Sequence, residues 1–270
     1  MKCDLHIHSN LSDGIFPPET IVDMAKERGL DCISITDHDT FAHVERAKSR
    51  AKEVGLKYLV GAEITSVQDG TDIHMLVYNV DTTSDEFKET VEQIANLRHQ
   101  RNVAIVGKLH EHGIDIDLDA LRQHGSVGRA VIAREMVRLG YCKDEAEAFE
   151  NYIGTDKCCF VQTRRMSPID VIHFALRFGG IPVLAHPKQL RMSEKEFEEF
   201  LKPLVQAGLS GIEANYFTHN ISERKFYSKM AKKYKLVATG GSDFHNYVHG
   251  VELGTKSFSP NTFTRTVLGI

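Results

Sequence analysis

The stretch Asp4-Leu5-His6-Ile7-His8 decides the interpretation of this chain, because it places two histidines one residue apart in an apolar run. In a β-strand successive side chains alternate between the two faces, so His6 and His8 project the same way, about 6.5–7 Å apart. Two imidazoles at that separation can hold one ion between them or flank two. The stretch therefore predicts a strand that ends in a metal-binding site.

Strings of the same chemistry recur far along the chain, as Thr36-Asp37-His38-Asp39, Ala185-His186-Pro187 and Gly241-Ser242-Asp243-Phe244-His245. A lone histidine or aspartate after a strand is more often a turn residue or a helix cap. The joint pattern reverses those odds, since it mixes histidines with carboxylates in the proportions that suit Zn, Mn or Fe rather than Ca or Mg. Six of the fourteen histidines belong to this pattern, and we assign the other eight no metal role.

Composition limits the class of protein. With 270 residues, 41% of them hydrophobic and 26% charged, the chain is long enough for one large α/β barrel or two smaller domains. The net charge of −4 argues against a nucleic-acid-binding surface over the whole protein, yet it leaves room for a local basic pocket. No run approaches the roughly 18 apolar residues of a membrane span, and no leader precedes the first strand, so we expect a cytoplasmic protein.

The five cysteines are an odd number without a Cys-x-x-Cys spacing. Neither a disulfide framework nor a thiolate zinc site is therefore suggested. Cys3 and Cys32 sit in apolar runs and are expected to be core residues. The adjacent pair Cys158-Cys159 is expected to be equally ordinary.

Strand-like runs alternate with amphipathic segments over most of the chain, which predicts an α/β fold with a mainly parallel, barrel-like sheet. Seven strands are expected, at about 3–7, 31–36, 57–65, 72–79, 181–185, 210–215 and 235–240. Residues 81–160 interrupt this alternation of strands and helices, and their pattern predicts several helices without a strand between them. We interpret residues 1–80 and 161–270 as the barrel, and 81–160 as an inserted helical cap.

In barrels built from strand-helix units, active sites collect at the carboxyl ends of the strands. Most candidate ligands follow this rule: His6, His8, Asp37, His38, Glu63, His186, Asp243 and His245. His74 lies near the start of its strand, and Asp13 lies on the first loop, in Ser12-Asp13-Gly14.

Taken together, these motifs resemble the polymerase-and-histidinol-phosphatase, or PHP, phosphoesterases. Asp-x-His-x-His, Ser-Asp-Gly, Thr-Asp-His-Asp, Gly-Ala-Glu, Ala-His-Pro and Gly-Ser-Asp-x-His occur here in the family's order. The resemblance implies a distorted seven-stranded (β/α)7 TIM-like barrel and three divalent ions, with Mn favoured and Zn or Fe as alternatives. It assigns His6, His8, Glu63 and Asp243 to one ion, and Asp13, His38 and His245 to a second. Glu63, His74 and His186 would hold the third, with Glu63 bridging.

Asp4 and Asp39 are interpreted as partners that orient ligating imidazoles. Glu213 and Asn215 end a strand and point toward the same rim, where solvent-facing and functional interpretations stay equally open. Phosphate recognition needs cations in a fork geometry, which Arg129, Arg134, Arg164 and Arg165 can provide. His219 is a further candidate for substrate contact or proton donation, beside Asp39.

Within the family, the length and the helical insert look most like the branch of nucleoside 3′,5′-bisphosphate phosphatases and 5′-to-3′ oligoribonucleases. One departure concerns substrate choice: that branch often reads Gly-Arg-Pro-His where this chain has Gly128-Arg129-Ala130-Val131. The predicted substrate is a small phosphorylated molecule, either a nucleoside 3′,5′-bisphosphate or the 5′ end of a short RNA. No membrane and no stable protein partner are predicted.

The hypothesis is hydrolysis of a phosphate ester by a hydroxide held between two ions about 3.5–4 Å apart. Three alternatives stay open. One is a histidinol phosphatase, and another is an amidohydrolase acting on a C–N or ester bond, although Glu63 stands where that class commonly has a modified lysine. The third is a PHP module without catalytic activity that serves in interaction or regulation. No P-loop and no Gly-x-Ser-x-Gly elbow is present.

Overall fold

The computed structural model describes residues 1–122, 125–162, 165–247 and 250–270. The strands in these residues are β1 Cys3–Asp4, β2 Cys32–Ile33, β3 Lys57–Tyr58, β4 Gly61–Gln68, β5 Thr71–Tyr78, β6 Ile181–Leu184, β7 Gly211–Tyr216 and β8 Val237–Gly241. The helices are α1 Pro18–Glu27, α2 Val44–Val54, α3 Asp85–Glu111, α4 Leu118–Arg122, α5 Arg129–Arg138, α6 Glu145–Ala148, α7 Pro168–Arg177, α8 Glu194–Gln206, α9 Ile221–Lys233 and α10 Thr262–Leu268.

Helix ends follow the local sequence signals. Ser167 and Asp170 form a capping box at the start of α7, where Pro168 occupies the first turn. The Ser84 hydroxyl accepts a hydrogen bond from the Phe87 N–H and caps the long helix α3. Gly55 ends α2 in the left-handed conformation, with φ of 65°. Capping side chains, proline and glycine thus account for where these helices begin and end.

The strands form two sheets, one of three strands in the order β1-β2-β3 and one of five in the order β4-β5-β6-β7-β8. The α/β class is confirmed, whereas one closed seven-stranded barrel is not what the strand pairing shows. Isolated bridges from Ile7 to Phe244 and from His38 to Glu63 join the two sheets, in place of continuous ladders. The two sheets thus meet close to the residues that the sequence singles out as ligands.

Two features account for the difference from a mainly parallel sheet. The predicted strand at 57–65 is two strands, because β3 pairs with β2 while β4 pairs with β5. Asp69 and Gly70 then have φ of 51° and 78°, the backbone of a tight hairpin, so β5 runs antiparallel to β4. β6 is also antiparallel to β5, and the parallel arrangement resumes at β7 and β8.

The segment between β5 and β6 packs around an apolar cluster of its own. Ile105 and Leu109 of α3 contact Ile132 and Met136 of α5 there, and all four are fully buried. A separate and larger cluster packs β4–β7 against α7, α8 and α9. In the part of the chain that the structure describes, no helix is long and apolar enough to cross a membrane.

Candidate metal centre

The loops after β1, β2, β6 and β8 bring seven of the nine histidine and carboxylate side chains to one place, where they meet Glu63 of β4 and His74 of β5. Glu63 was expected at the end of a strand, but it is the third residue of β4 because the predicted strand at 57–65 is divided in two. Three residues there have left-handed backbone, with φ of 53° at Asp39, 22° at His186 and 52° at Asp243. Such conformations cost on the order of 1–3 kcal/mol each and cluster at functional sites. Gly241 lets β8 approach β1, because a Cβ atom there would collide with His6.

Glu63 lies at the middle of the cluster. Its Oε1 is 2.9 Å from both His74 Nδ1 and His186 Nε2. Its Oε2 is 3.3 Å from the Nε2 atoms of His6 and His8 and 3.2 Å from His38 Nδ1. One buried carboxylate thus faces five imidazoles, as a bridging ligand would.

Asp243 and Asp13 each lie beside two or more of the histidines. Asp243 Oδ1 is 3.2 Å from His6 Nε2 and 3.1 Å from His8 Nε2. Asp13 lies 3.2 Å from His245 Nε2 and 3.5 Å from His38 Nε2. The side chains that the resemblance proposed as ligands are therefore together in space.

Several atoms of the cluster have no hydrogen-bond partner among the described residues. These buried atoms are His6 Nε2, His8 Nε2, His38 Nδ1 and Asp243 Oδ1. An unpartnered buried polar atom costs about 1–3 kcal/mol, so its presence calls for an explanation. Divalent cations fit, because every one of these atoms is a ligand that Zn, Mn or Fe accepts and all four point into the same space.

The distances between candidate ligand atoms divide the residues into sets that differ from the three sets implied by the resemblance. Atoms of His8, Asp13, His38 and His245 lie within 4.8 Å of one another, as do those of His6, His8 and Asp243. A third set within the same distance comprises His38, Glu63 and His74. His8 and His38 therefore lie between sets, each belonging to two of them.

Electrostatics keep the carboxylates of the centre ionised. Burial disfavours the charged imidazolium of His6, but Glu213, Asp243 and Glu63 outweigh it and raise its pKa well above the usual value. The same balance raises the pKa of His8 to about 10, whereas burial prevails at His38 and lowers its pKa to about 3. Divalent cations would therefore compete with protons at His6 and His8.

Glu213 and Asp37 hold candidate ligands, or the loops that carry them, in position through hydrogen bonds. Glu213 is fully buried, accepts a hydrogen bond from His6 Nδ1 at 3.0 Å and another from the His186 backbone N–H at 2.8 Å. Asp37 accepts hydrogen bonds from Ser9 and Ser12, which shape the loop that carries Asp13. The strand-end position of Glu213 was the sequence signal for its role, but that signal could not separate it from a solvent-facing residue.

Asp4 and Asp39 differ from their predicted role, since within the described residues they accept hydrogen bonds from backbone, hydroxyl and arginine donors and from no imidazole side chain. Asp4 accepts hydrogen bonds from Ser242 and from the Gly254 N–H, so it fixes the loop that carries Asp243. Asp39 accepts hydrogen bonds from Arg98 Nε and from the Thr65 N–H, both at 2.7 Å. Their side chains reach backbone and arginine donors because β1 and β2 end beside those neighbouring loops and α3.

A pocket beside His38 and His74 is lined by four arginines: Arg98, Arg101, Arg129 and Arg165. Arg129 is paired with Asp72 at 2.9 Å, whereas both Nη atoms of Arg165 are buried without a hydrogen-bond partner in the described part of the chain. Burial, together with Arg165 and Arg129, lowers the pKa of Arg101 to about 8. The pocket therefore carries an excess of positive charge and unused donors.

The other residues predicted to contact substrate lie in different surroundings, and only some of them line a pocket. Arg134 lies in a second pocket beside Asp243 and His245, and its Nη2 donates to the Asp13 carbonyl. His219 is 2% exposed and bonds the Ala214 carbonyl through Nδ1, and its ring packs between Tyr216 and Tyr227. It lies in the loop between β7 and α9, and its burial there does not fit the predicted contact with substrate. Val131 packs against the apolar cluster of the helical segment, and Arg164 lies outside the described residues.

Comparison with known proteins gives the family. The PHP domain model matches residues 4–158. A 5′-3′ exoribonuclease of Haemophilus influenzae is 33% identical over 94% of this chain and 93% of that protein. A 3′,5′-nucleoside bisphosphate phosphatase of Chromobacterium violaceum is 28% identical over 90% of this chain and 86% of that protein.

A crystal structure of a protein from Bifidobacterium adolescentis, assigned as a metal-dependent phosphoesterase, superposes with a TM-score of 0.87. It shares 28% sequence identity and covers 99% of this chain and 95% of that one. The chain belongs to the PHP family and is a metal-dependent hydrolase of phosphate esters. The predicted family and enzyme class are confirmed.

Proposed function

We propose that this PHP phosphoesterase releases phosphate from nucleoside 3′,5′-bisphosphates or cleaves nucleotides from the 5′ end of short RNA. Its ligands are the nine side chains named above, and its ions are three divalent cations, of which Mn²⁺ is the favoured one. The relatives named as a 5′-3′ exoribonuclease and a 3′,5′-nucleoside bisphosphate phosphatase support this substrate class. Both names describe substrates that carry more than one phosphate.

The observation that carries the proposal is the arginine-lined pocket next to the metal centre. His38, His74 and Asp13 form one side of that pocket, and Arg129 and Arg165 form part of the other. A substrate with two phosphates would set one against the metal centre and the other against the arginines. Guanidinium groups suit this task because their donors match phosphate oxygens in pairs.

The residues divide the chemistry between them. Bound divalent ions would lower the pKa of water and screen the charge of the phosphate that is attacked. Glu63, Asp13 and Asp243 supply the negative charge that retains those ions, and Glu213 holds the His6 imidazole in one orientation. Arg165 and Arg129 would bind the second phosphate and so fix the direction in which the substrate lies.

We also propose that residues 1–80 and 161–270 form one distorted barrel and that 81–160 are a cap that shapes the substrate pocket. The isolated bridges between the two sheets support the first part. The separate apolar cluster of the helical segment supports the second. Arg98, Arg101 and Arg129 come from that segment, so the cap supplies three of the four arginines.

Phosphate release in the presence of Mn²⁺ tests the function. We expect kcat/KM for a nucleoside 3′,5′-bisphosphate to exceed that for the matching 3′-monophosphate, and 5′-phosphorylated short RNA to be degraded faster than its 5′-hydroxyl form. Arg165→Met should reduce kcat/KM for the doubly phosphorylated substrate by about 10- to 100-fold, the worth of a charged hydrogen bond. The same variant should change the reaction of the monophosphate much less.

Arg46→Met is the matched control, since Arg46 pairs with Glu19 on the surface. It should behave as the unmodified protein does. If the protein released no phosphate from nucleotides or histidinol phosphate and degraded no short RNA, the proposed substrate class would be contradicted. Equal kcat/KM with and without the second phosphate, unaffected by Arg165→Met, would contradict the arginine pocket as its binding site.

A further inference from the structure

A cluster of two cysteines and one histidine lies on the helical segment, apart from the nine-residue centre. His112 follows α3, while Cys158 and Cys159 lie in the segment that leads back toward β6. The two sulfur atoms are 3.7 Å apart, and Cys159 Sγ is 3.8 Å from His112 Nδ1. We propose that these three side chains form a second metal site, which takes Zn²⁺ or a cation of similar softness.

The distances fit tetrahedral coordination. With Zn–S bonds of about 2.3 Å and Zn–N bonds of about 2.0–2.1 Å, tetrahedral ligand atoms lie roughly 3.5–3.8 Å apart. The observed separations are within a few tenths of an ångström of that range. Two thiolates and an imidazole are also a donor set that favours Zn²⁺ over the harder ions Mg²⁺, Ca²⁺ and Mn²⁺.

The site is open to solvent on one side. Cys158 and His112 are exposed, and Cys159 is buried against the apolar cluster of α3 and α5. An ion can therefore enter without any change of fold, and three protein ligands leave a fourth position for water. A site of this kind exchanges its ion more readily than a closed four-ligand site.

Binding of an ion at this site requires the two thiols to lose their protons and His112 to lose a hydrogen bond. Burial and the neighbouring Cys158 raise the pKa of the Cys159 thiol to about 11. Ion binding would release one proton from each thiol to solvent and form two thiolate bonds. His112 would give up its hydrogen bond from Nδ1 to the Lys108 carbonyl, 2.9 Å long, and its single ring proton would move by way of solvent from Nδ1 to Nε2, which frees the Nδ1 lone pair for the ion.

Occupancy of the site would tie two ends of the helical segment together. Lys108, one turn before His112, already donates to the Phe160 carbonyl at 2.8 Å. The Phe160 ring lies 5.7 Å from the Arg129 guanidinium, which belongs to the proposed phosphate pocket. An ion at Cys158 and Cys159 would hold Phe160 in this position, a consequence that rests on the proposed function.

Titration with Co²⁺, a spectroscopic substitute for Zn²⁺, tests the site itself without substrate. Full-length protein is first loaded with Mn²⁺, and the near-ultraviolet absorption from thiolate-to-cobalt charge transfer is followed. The nine-residue centre has no cysteine, so Co²⁺ that enters it gives no such band. We expect a saturable band from the unmodified protein, lost when Zn²⁺ is added in competition.

Variants assign the band. The double change Cys158→Ser with Cys159→Ser should abolish it, and His112→Ala should weaken Co²⁺ binding by about 10-fold or more. Cys142→Ser is the matched control. Cys142 is a buried cysteine of the same helical segment, it is not one of the three proposed ligands, and its variant should keep the full band. No band from the unmodified protein, or an equal band from the double variant, would overturn the proposal. Phosphate release, measured separately, tests the proposed function alone.

Discussion

Glu213 illustrates at the scale of one residue how the centre is held in position. Its carboxylate accepts one hydrogen bond from the His6 imidazole and one from the backbone N–H of His186, so a single side chain orients two candidate ligands. Partners of this kind fix the tautomer and the direction of a ligating imidazole. Removing the charge of Glu213 should therefore affect metal binding more than substrate binding.

We expect Glu213→Gln to raise the Mn²⁺ concentration needed for half-maximal activity by about 10- to 100-fold. An amide can replace only one of the two acceptor oxygens, so either His6 or His186 loses its partner. KM for substrate at saturating Mn²⁺ should change little, which separates a positioning role from a binding role. Glu194→Gln, on the exposed first turn of α8, is the control. An unchanged Mn²⁺ requirement would contradict this role.

At the scale of elements, Arg98 connects the helical segment to the edge of both sheets. Its guanidinium, on α3, contacts the Asp39 carboxylate at 2.7 Å and donates to the Val127 carbonyl at 3.3 Å and to Thr65 Oγ1 at 3.1 Å. Arg98 and Asp39 are 8% and 3% exposed, so the pair is shielded from water. Breaking a buried pair from one side leaves an uncompensated charge.

Arg98→Met should therefore lower the free energy of unfolding by about 3–5 kcal/mol, measured by urea denaturation. Arg50→Met removes a surface arginine that pairs with Asp23 and Glu53, and it should change the free energy of unfolding much less, because solvent screens exposed ion pairs. Comparable losses in the two variants would mean that burial of the Arg98 pair contributes nothing. Phosphate release at low urea concentration shows whether Arg98 also positions the arginine pocket.

Sequence reasoning was accurate for elements whose signals are local. Ser167 and Pro168 are start signals that lie at the beginning of α7, and the stop signal Gly179-Gly180 follows its last residue, Arg177, after Phe178. The split between β3 and β4 and the antiparallel run of β5 were not predicted, although Asp69-Gly70 is a hairpin signal. Strand direction depends on pairing across the sheet, which a run of apolar residues does not encode.

In the metal centre, too, the sequence identifies residues that have local signals but not contacts between residues that are far apart in the chain. Motifs named the nine ligand candidates, because most of them lie in loops that follow a strand and stand in a recognisable string, although Glu63 and His74 lie within β4 and β5. They could not assign Asp4 to Ser242 or Asp39 to Arg98, since these partners are 238 and 59 residues away. The cluster of His112 with Cys158 and Cys159 was missed for the same reason: its histidine is 47 residues from Cys159.

At the scale of the whole molecule, the centre joins the two ends of the chain. His6 and His8 follow β1, and Asp243 and His245 follow β8, so an ion bound between them connects the first and the last strand. The other candidate ligands come from the loops after β1 and β2, from β4 and β5, and from the end of β6. Metal binding should for this reason stabilise the folded protein as a unit, because the unfolded chain cannot present these side chains together.

Removal of metal with a chelator should lower the midpoint of thermal unfolding, and Mn²⁺ should restore it in a concentration-dependent way. A ligand at about 100 times its Kd adds about 2.7 kcal/mol to the free energy of unfolding, so the shift is measurable by calorimetry. Asp243→Asn keeps the size of the side chain but removes the charge that faces His6 and His8. That variant should fold, lose phosphate release by at least about 100-fold, and show a much smaller Mn²⁺-dependent shift. If chelation left the unfolding midpoint of the unmodified protein unchanged, the ions could not be what joins β1 to β8, and direct strand contacts such as the Leu5 N–H to Gly240 carbonyl bond would account for that junction.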